Sequence, residues 1–218
     1  MTIAWANGQL SPVAQPAVRP DDRALFGIGV FETLLCSEGR VFVLERHLRR
    51  LARSAEGVGV SVDSDLVRGG VRNVLIQPES RAMTRGLMRV AVTGGPPGPV
   101  AGGPSGPPTT LVTLTAVEPR PGTARVWTCP FARNARGATT GLKTTSYAEN
   151  GIALRHAHEH GSDQALFANT DGVLCEGAGS NVFVVVGEQI ATPPLRSGCL
   201  AGVTRELLLE MASWHRRD

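Results

Sequence analysis

Lysine is almost missing from this sequence. Of its 22 basic residues, 21 are arginine and one, Lys143, is lysine. An arginine keeps its proton at any working pH, because its pKa lies above about 12, whereas a desolvated lysine can lose its proton and act as a nucleophilic amine. Where arginine serves as the general-purpose cation, a solitary lysine is a candidate for amine chemistry. The alternative is a surface cation that survived by chance.

Long hydrophobic runs are also lacking. The start MTIAWANGQL has neither a basic flank nor an apolar stretch of signal-peptide length, and no later run approaches the roughly 20 residues a membrane helix needs. A soluble, cytoplasmic protein with no membrane partner is expected. Cys36, Cys129, Cys175 and Cys199 are far apart, with no C-x-x-C pair and no histidine pattern of ligand type, which excludes a disulfide framework and a zinc site. They read as reduced, mostly buried thiols, and no metal is expected. The formal charge is only +3 and the basic residues are interspersed with acids, so no nucleic-acid partner is implied, while a small acidic metabolite is compatible.

What is present is a chain of 218 residues, 42% hydrophobic, enough for one good core or two small ones. Two compact α+β halves are expected, at 1–118 and 124–218, with a linker at 119–123. In the first half, Ile3 to Trp5 reads as a strand followed by an Asn7-Gly8 turn. Ile28 to Cys36 and Val41 to Leu44 form a hairpin about Ser37-Glu38-Gly39. From Glu45, the spacing of Leu48, Leu51, Ala52 and Ala55 predicts an amphipathic helix ending near Gly57 or Gly59, and Ser64 to Leu75 predicts another. Both should cover the hairpin sheet. Leu87 to Thr93 and Thr110 to Val117 read as strands flanking GGPPGPVAGGPSGPP, residues 94–108, a mobile lid or a disordered insertion.

In the second half, a strand at Ala124 to Thr128 precedes GLKTTSYAENGIALRHAHEHG, where a helix is predicted from Ser146 to His160, closed by Gly161. Lys143 therefore stands just before a helix. Short strands follow at Gln164 to Asn169, Val173-Leu174, Asn181 to Val186 and Gln189 to Thr192, then a helix from about Gly202 to Trp214.

Three blocks in this order, LKTTSY, DGVLCEGAGSNVFVV and ATPPLRSGCLAGVTRELL, are similar to the fold type IV pyridoxal-phosphate enzymes, a class that holds branched-chain and D-amino-acid aminotransferases and aminodeoxychorismate lyases. The stretch DDRALFGIGVFETLLCSEGRVFVLERHLRRL resembles the same family's first half, so the likeness covers nearly the whole chain. It implies a two-domain α+β fold with pyridoxal 5′-phosphate (PLP) between the domains, and a homodimer in which loops of one subunit close the other's site.

The resemblance also implies roles. Lys143 would hold the cofactor aldehyde as a Schiff base and, once displaced by substrate, move the proton. Glu176 in CEGAGSN matches the acid that faces the pyridine nitrogen and keeps the ring protonated; as a bare residue it would be a solvated turn carboxylate. Asn181 ends that motif and is taken with the cofactor site. Arg50 in HLRRL matches the phosphate-binding arginine, with Arg46 and Arg49 as neighbours in register. Val203 and Thr204 match the residues that hold the phosphate at a helix N-terminus, and Leu200 would pack on a ring face. Tyr147, the one tyrosine, matches a residue whose hydroxyl sits near the ring oxygen, although a lone aromatic on a helix is as readily core. Phe31 and Thr33 in GVFETLL lie on the strand that lines the family's substrate pocket, and Arg89 stands where some members bind a substrate carboxylate.

Two departures matter. The loop arginine and histidine of the D-amino-acid enzymes have no counterpart in residues 94–108, which disfavours that branch. The family normally continues for several tens of residues past VTRELLLE, with another phosphate-binding loop, so a truncated C-terminal domain or a differently completed site is expected. His156, His158 and His160 alternate along a helix and receive no catalytic role. The expected activity is 4-amino-4-deoxychorismate lyase, which eliminates pyruvate to leave 4-aminobenzoate. The alternatives are a branched-chain or related aminotransferase and a truncated, non-catalytic relative that binds the cofactor. The substrate is expected to be a small amino compound with carboxylate groups.

Overall fold

A computed structural model describes residues 1–10, 19–98, 106–119 and 122–214, Trp214 by its backbone alone. The chain divides into two compact units, one of Met1–Arg120 with Lys143–Ser146, the other of Pro121–Leu142 with Tyr147–Asp218. The α+β class is as expected, and among the described residues no helix is long and apolar enough to cross a membrane.

The N-terminal unit is an antiparallel sheet under helices. Its strands are β1 (Thr2–Ala6), β2 (Gln9–Leu10), β3 (Gly29–Ser37), β4 (Arg40–Val41), β5 (Gly86–Thr93) and β6 (Thr110–Ala116), in the spatial order β2-β1-β6-β5-β3-β4. The helices are α1 (Leu44–Gly57), α2 (Ser64–Leu75) and the short α3 (Pro78–Ala82). Side chains alternate across a strand, and here the alternation decides everything about the site. Val30, Leu34 and Cys36 of β3, with Met88, Val90 and Val92 of β5, meet Leu48 and Leu51 of α1 and Val67, Val71 and Val74 of α2 in one core. Phe31, Thr33 and Arg89 must then face the other way, with Thr33 directly opposite Arg89 and Phe31 opposite Ala91.

β4 is shorter than the predicted Val41 to Leu44, because Val43 adopts a left-handed conformation with φ 46 and turns the chain straight into α1. β3 therefore has β4 as partner only at Cys36 and Ser37. The backbone groups at the other end of that edge need partners of their own, and Lys143–Thr145 supply them. Phe31 N–H donates to the Lys143 carbonyl at 3.1 Å, Thr145 N–H to the Gly29 carbonyl at 2.9 Å, and Val30 bridges Thr144. This corrects the expected 124–218 domain: Lys143–Ser146 belong with the first unit, drawn there by an open strand edge. The feet of the 94–108 loop are also fixed. Buried Asp22 accepts the Thr93 hydroxyl at 2.6 Å, and Thr93 Oγ1 in turn accepts the Thr109 N–H at 2.9 Å. Residues 99–105 of that loop, 120 and 121 of the linker and 215–218 lie outside the described residues.

In the C-terminal unit β7 (Val126–Arg133) runs parallel to β8 (Gln164–Asn169), and β8 antiparallel to β9 (Leu174–Gly177). A parallel pair needs a crossover, supplied by α4 (Ala148–Glu159). A hairpin of β10 (Val184–Val186) and β11 (Gln189–Ala191), shorter than the predicted pair, leads to α5 (Val203–Trp214). Phe167, Ala153, Ala157, Ala165, Cys129, Cys175 and Cys199 form the core. All four cysteines of the chain are buried and none is in a disulfide. Burial above all pushes the Cys175 thiol up to about 11, which makes it an inert packing group.

Candidate functional site

Lys143 is half-buried at the β3 edge, and its side chain reaches the ring of Phe31. Its carbonyl is fixed by the β3 edge, and its N–H donates to the Ser54 hydroxyl of α1 at 3.0 Å. Its Nζ lies 4.4 Å from the centroid of the Phe31 ring, and Arg89 Cζ lies 5.4 Å from the same centroid. Three of the residues singled out in the sequence, Lys143, Phe31 and Arg89, thus meet around one aromatic ring, with Thr33 paired to Arg89 across the strands. An amine, an apolar platform and an exposed guanidinium together suit a small ligand that carries both an amino-reactive group and a carboxylate.

Arg50 lies four residues, just over one turn, before Ser54 on α1. Its Nε and Nη2 donate to the two carboxylate oxygens of Glu32 at 2.7 and 2.6 Å, and His47 Nδ1 is 2.7 Å from Glu32 Oε2. Glu32 is 0% exposed. Its burial is the largest influence and opposes ionisation, but hydrogen bonds and charge from Arg50 and His47 outweigh it and hold the carboxyl below its ordinary value. Neither Glu32 nor His47 was expected at the site. The signal was available: a carboxylate at an even position of β3, among Val30, Leu34 and Cys36, points into the core and needs a charged partner.

In the C-terminal unit Glu176 stands directly opposite Phe167 in the β8–β9 ladder. Its Oε2 accepts the Leu200 N–H at 2.8 Å, and its Oε1 is 3.3 Å from Arg133 Nε. That nitrogen is buried and makes no hydrogen bond, so the pair is an ionic contact without donor alignment. Glu176 is therefore held in place by its surroundings and is no solvated turn residue. Asn181 Nδ2 donates to the Leu200 carbonyl at 3.2 Å, so Glu176 and Asn181 grip Leu200 from its two backbone ends. A Cβ on Gly202 would overlap the Asn181 side chain, which lets that glycine bring the start of α5, buried Val203 and exposed Thr204, up against Asn181. Tyr147, 38% exposed, donates its hydroxyl to the Ala178 carbonyl at 3.1 Å, and Asn150 Nδ2 donates to the same oxygen at 2.6 Å. His156 and His160 are occupied in aromatic packing, His160 stacking on Trp127 with centroids 4.2 Å apart.

Each unit, taken by itself, carries groups whose chemistry fits a phosphorylated pyridine aldehyde. One unit offers an amine on a rigid edge and an arginine locked by a carboxylate. The other offers an oriented carboxylate and the N-terminus of a 12-residue helix, approached through a glycine that has no room for a side chain.

Comparison with known proteins agrees with this chemistry. The model of the amino-transferase class IV family matches residues 29–216. A bifunctional aminodeoxychorismate lyase / D-amino acid transaminase from Mycobacterium tuberculosis is 31% identical over 96% of this chain and 78% of its own length. The aminodeoxychorismate lyase of Bacillus subtilis is 28% identical over 96% of this chain and 73% of its own. Among solved structures, the PLP-bound form of a hypothetical aminotransferase from Mycobacterium tuberculosis superposes with a TM-score of 0.84 at 29% identity, over 98% of this chain and 78% of that one.

Proposed function

The chain belongs to the amino-transferase class IV family of PLP-dependent enzymes, and from that premise we propose that it is a 4-amino-4-deoxychorismate lyase. The observation that carries the reading is the convergence of Lys143, Phe31 and Arg89 on one ring. It is supported by the lyase named over 96% of this chain's length in Mycobacterium tuberculosis.

PLP, when bound, supplies an aldehyde for the substrate amine and a ring that takes up electrons. Lys143 Nζ takes a proton from the substrate and returns it, which only an amine able to lose its charge can do. Glu176 accepts at the ring nitrogen, with one oxygen already fixed by Leu200 N–H. Arg50, the Val203 N–H and Thr204 hold the phosphate, Leu200 packs on the ring, and Tyr147 and Asn181 border it. Arg89 binds a carboxylate of the substrate beside Phe31 and Thr33. The enzyme works as a homodimer in the cytoplasm.

A second reading is transamination, favoured by the other half of the name carried by the same 31% identical relative. Lysis and transamination need the same lysine and carboxylate and part company over pocket contacts worth a few kcal/mol. Incubating the PLP-loaded protein with aminodeoxychorismate alone, and separately with an amino acid and 2-oxoglutarate, distinguishes them. Pyruvate with 4-aminobenzoate is the expected product. Glutamate without 4-aminobenzoate replaces the lyase by an aminotransferase, and neither product leaves a non-catalytic cofactor-binding protein.

A further inference from the structure

Arg133 closes β7 and is the most heavily engaged cation among the described residues of the C-terminal unit. Its Cζ stacks 4.2 Å above the centroid of Phe167, whose ring is fully buried. Nη1 pairs with the Glu149 carboxylate, Nη2 donates to Asn150 Oδ1 at 3.2 Å, and Nε faces Glu176 Oε1 at 3.3 Å. The Arg133 and Glu176 side chains are only 14% and 12% exposed. A planar guanidinium can present one edge to each of three acceptors while its face lies on an aromatic ring; an ammonium cannot. Anchorage alone would be served by Glu149 and Asn150. The third edge is spent on Glu176, and in a particular way: because Nε–H is not aligned on Oε1, Arg133 contributes charge and backing to that oxygen without capping its lone pairs.

We propose that Arg133 is the positioning residue for Glu176, keeping its carboxylate deprotonated and aimed so that a proton shared with a basic ring nitrogen resides on the nitrogen. The inference rests on the reading that Glu176 faces the ring nitrogen of PLP. The physical ground is proximity. A permanent cation 3.3 Å from the carboxylate lowers the proton affinity of that group more than that of any base lying beyond it. Leu200 N–H on Oε2 acts in the same sense, since a hydrogen bond to the charged form favours it. Asn150 links this node to the Ala178 carbonyl, so the cation, the carboxylate and the loop after β9 form one rigid piece.

The test compares binding of PLP with binding of its analogue whose ring nitrogen is replaced by CH, by fluorescence titration of the cofactor-free protein. The wild type should prefer PLP by about tenfold or more, the range of a charge-assisted hydrogen bond. Glu176→Gln should abolish the preference, Arg133→Gln should reduce it nearly as far, and Arg133→Lys should fall between. The melting temperature of each cofactor-free variant reports whether it folds. Should Arg133→Gln not fold, Arg133→Lys carries the test, with a preference at least threefold below wild type expected. A wild-type preference in whichever Arg133 variant folds, alongside its loss in Glu176→Gln, overturns the inference and leaves the placement of Glu176 intact. An unchanged preference in Glu176→Gln overturns that placement, and the inference with it.

Discussion

Lys143 Nζ and Arg89 Cζ share the ring of Phe31, at 4.4 and 5.4 Å from its centroid. Each is attracted to the ring and repelled by the other, and of the two only the amine can shed its charge at working pH. In the roles proposed for them, the pairing would separate a reactive nitrogen from a binding cation while holding both within the reach of one small substrate.

Lys143→Arg keeps the charge and removes the chemistry. The variant should fold, since the backbone contacts of residue 143 to Ser54 and Phe31 do not involve its side chain. It should be inactive, and borohydride should fix cofactor to the wild-type peptide containing residue 143 and not to the variant's. Mass mapping decides it: a cofactor adduct elsewhere in the wild-type chain, or near-normal turnover in the variant, removes Lys143 from the centre of the site.

Arg89→Gln should act on KM. Arg89 is exposed on β5 and none of the apolar core rests on it, so stability should stay within about 0.5 kcal/mol. Loss of a charged contact to a substrate carboxylate should raise KM by about tenfold or more with kcat little changed, the sign of binding lost equally in ground and transition states. Equal KM values in the two proteins would reassign Arg89 to the solvated face of the sheet.

Much of this was legible because it depends on local periodicity or on rarity. The alternation in GVFETLLCS and the helical spacing of Leu48, Leu51 and Ala55 predicted β3 and α1 with small boundary errors. Lys143 stood out through being alone in its residue type. What escaped was non-local. The partners of Arg50 are Glu32, 18 residues away, and through it His47. Lys143 joined the N-terminal unit because β4 pairs with only two residues of β3, a shortfall that Val43's backbone causes and that no periodicity reveals. The three-way contact of Arg133 depends on β7 continuing to Arg133, beyond the predicted end at Thr128.

Glu32 makes a prediction about pH. Its folded pKa is depressed, so its ionisation stabilises the fold above the unfolded carboxyl value of about 4.3, and that contribution is lost as pH falls towards the folded value. Glu32→Gln should therefore be clearly less stable than wild type at pH 7, because Arg50 would lose its buried counter-charge. The gap should narrow below about pH 4. Urea unfolding of both proteins across that window is the measurement, and a gap that does not change with pH would mean that charge plays no part in holding Arg50.

Gly202 offers the most specific test of the phosphate cradle, because the three atoms nearest to a side chain added there all belong to Asn181. A Cβ on residue 202 would overlap the side chain of Asn181. Gly202→Ala must therefore displace either Asn181, with loss of its 3.2 Å hydrogen bond to the Leu200 carbonyl, or the start of α5 where Val203 and Thr204 stand. Either movement loosens backbone amides around the expected phosphate site, so PLP affinity should fall by about tenfold or more. Pyridoxal, which has no phosphate, should be affected much less. If the clash is the cause, trimming its other half should relieve it: Asn181→Ala combined with Gly202→Ala should bind PLP better than Gly202→Ala alone, a coupling between neighbours that independent sites do not show. A double variant weakened by the sum of the two single losses would show that Gly202 acts through its own backbone and owes nothing to the fit against Asn181.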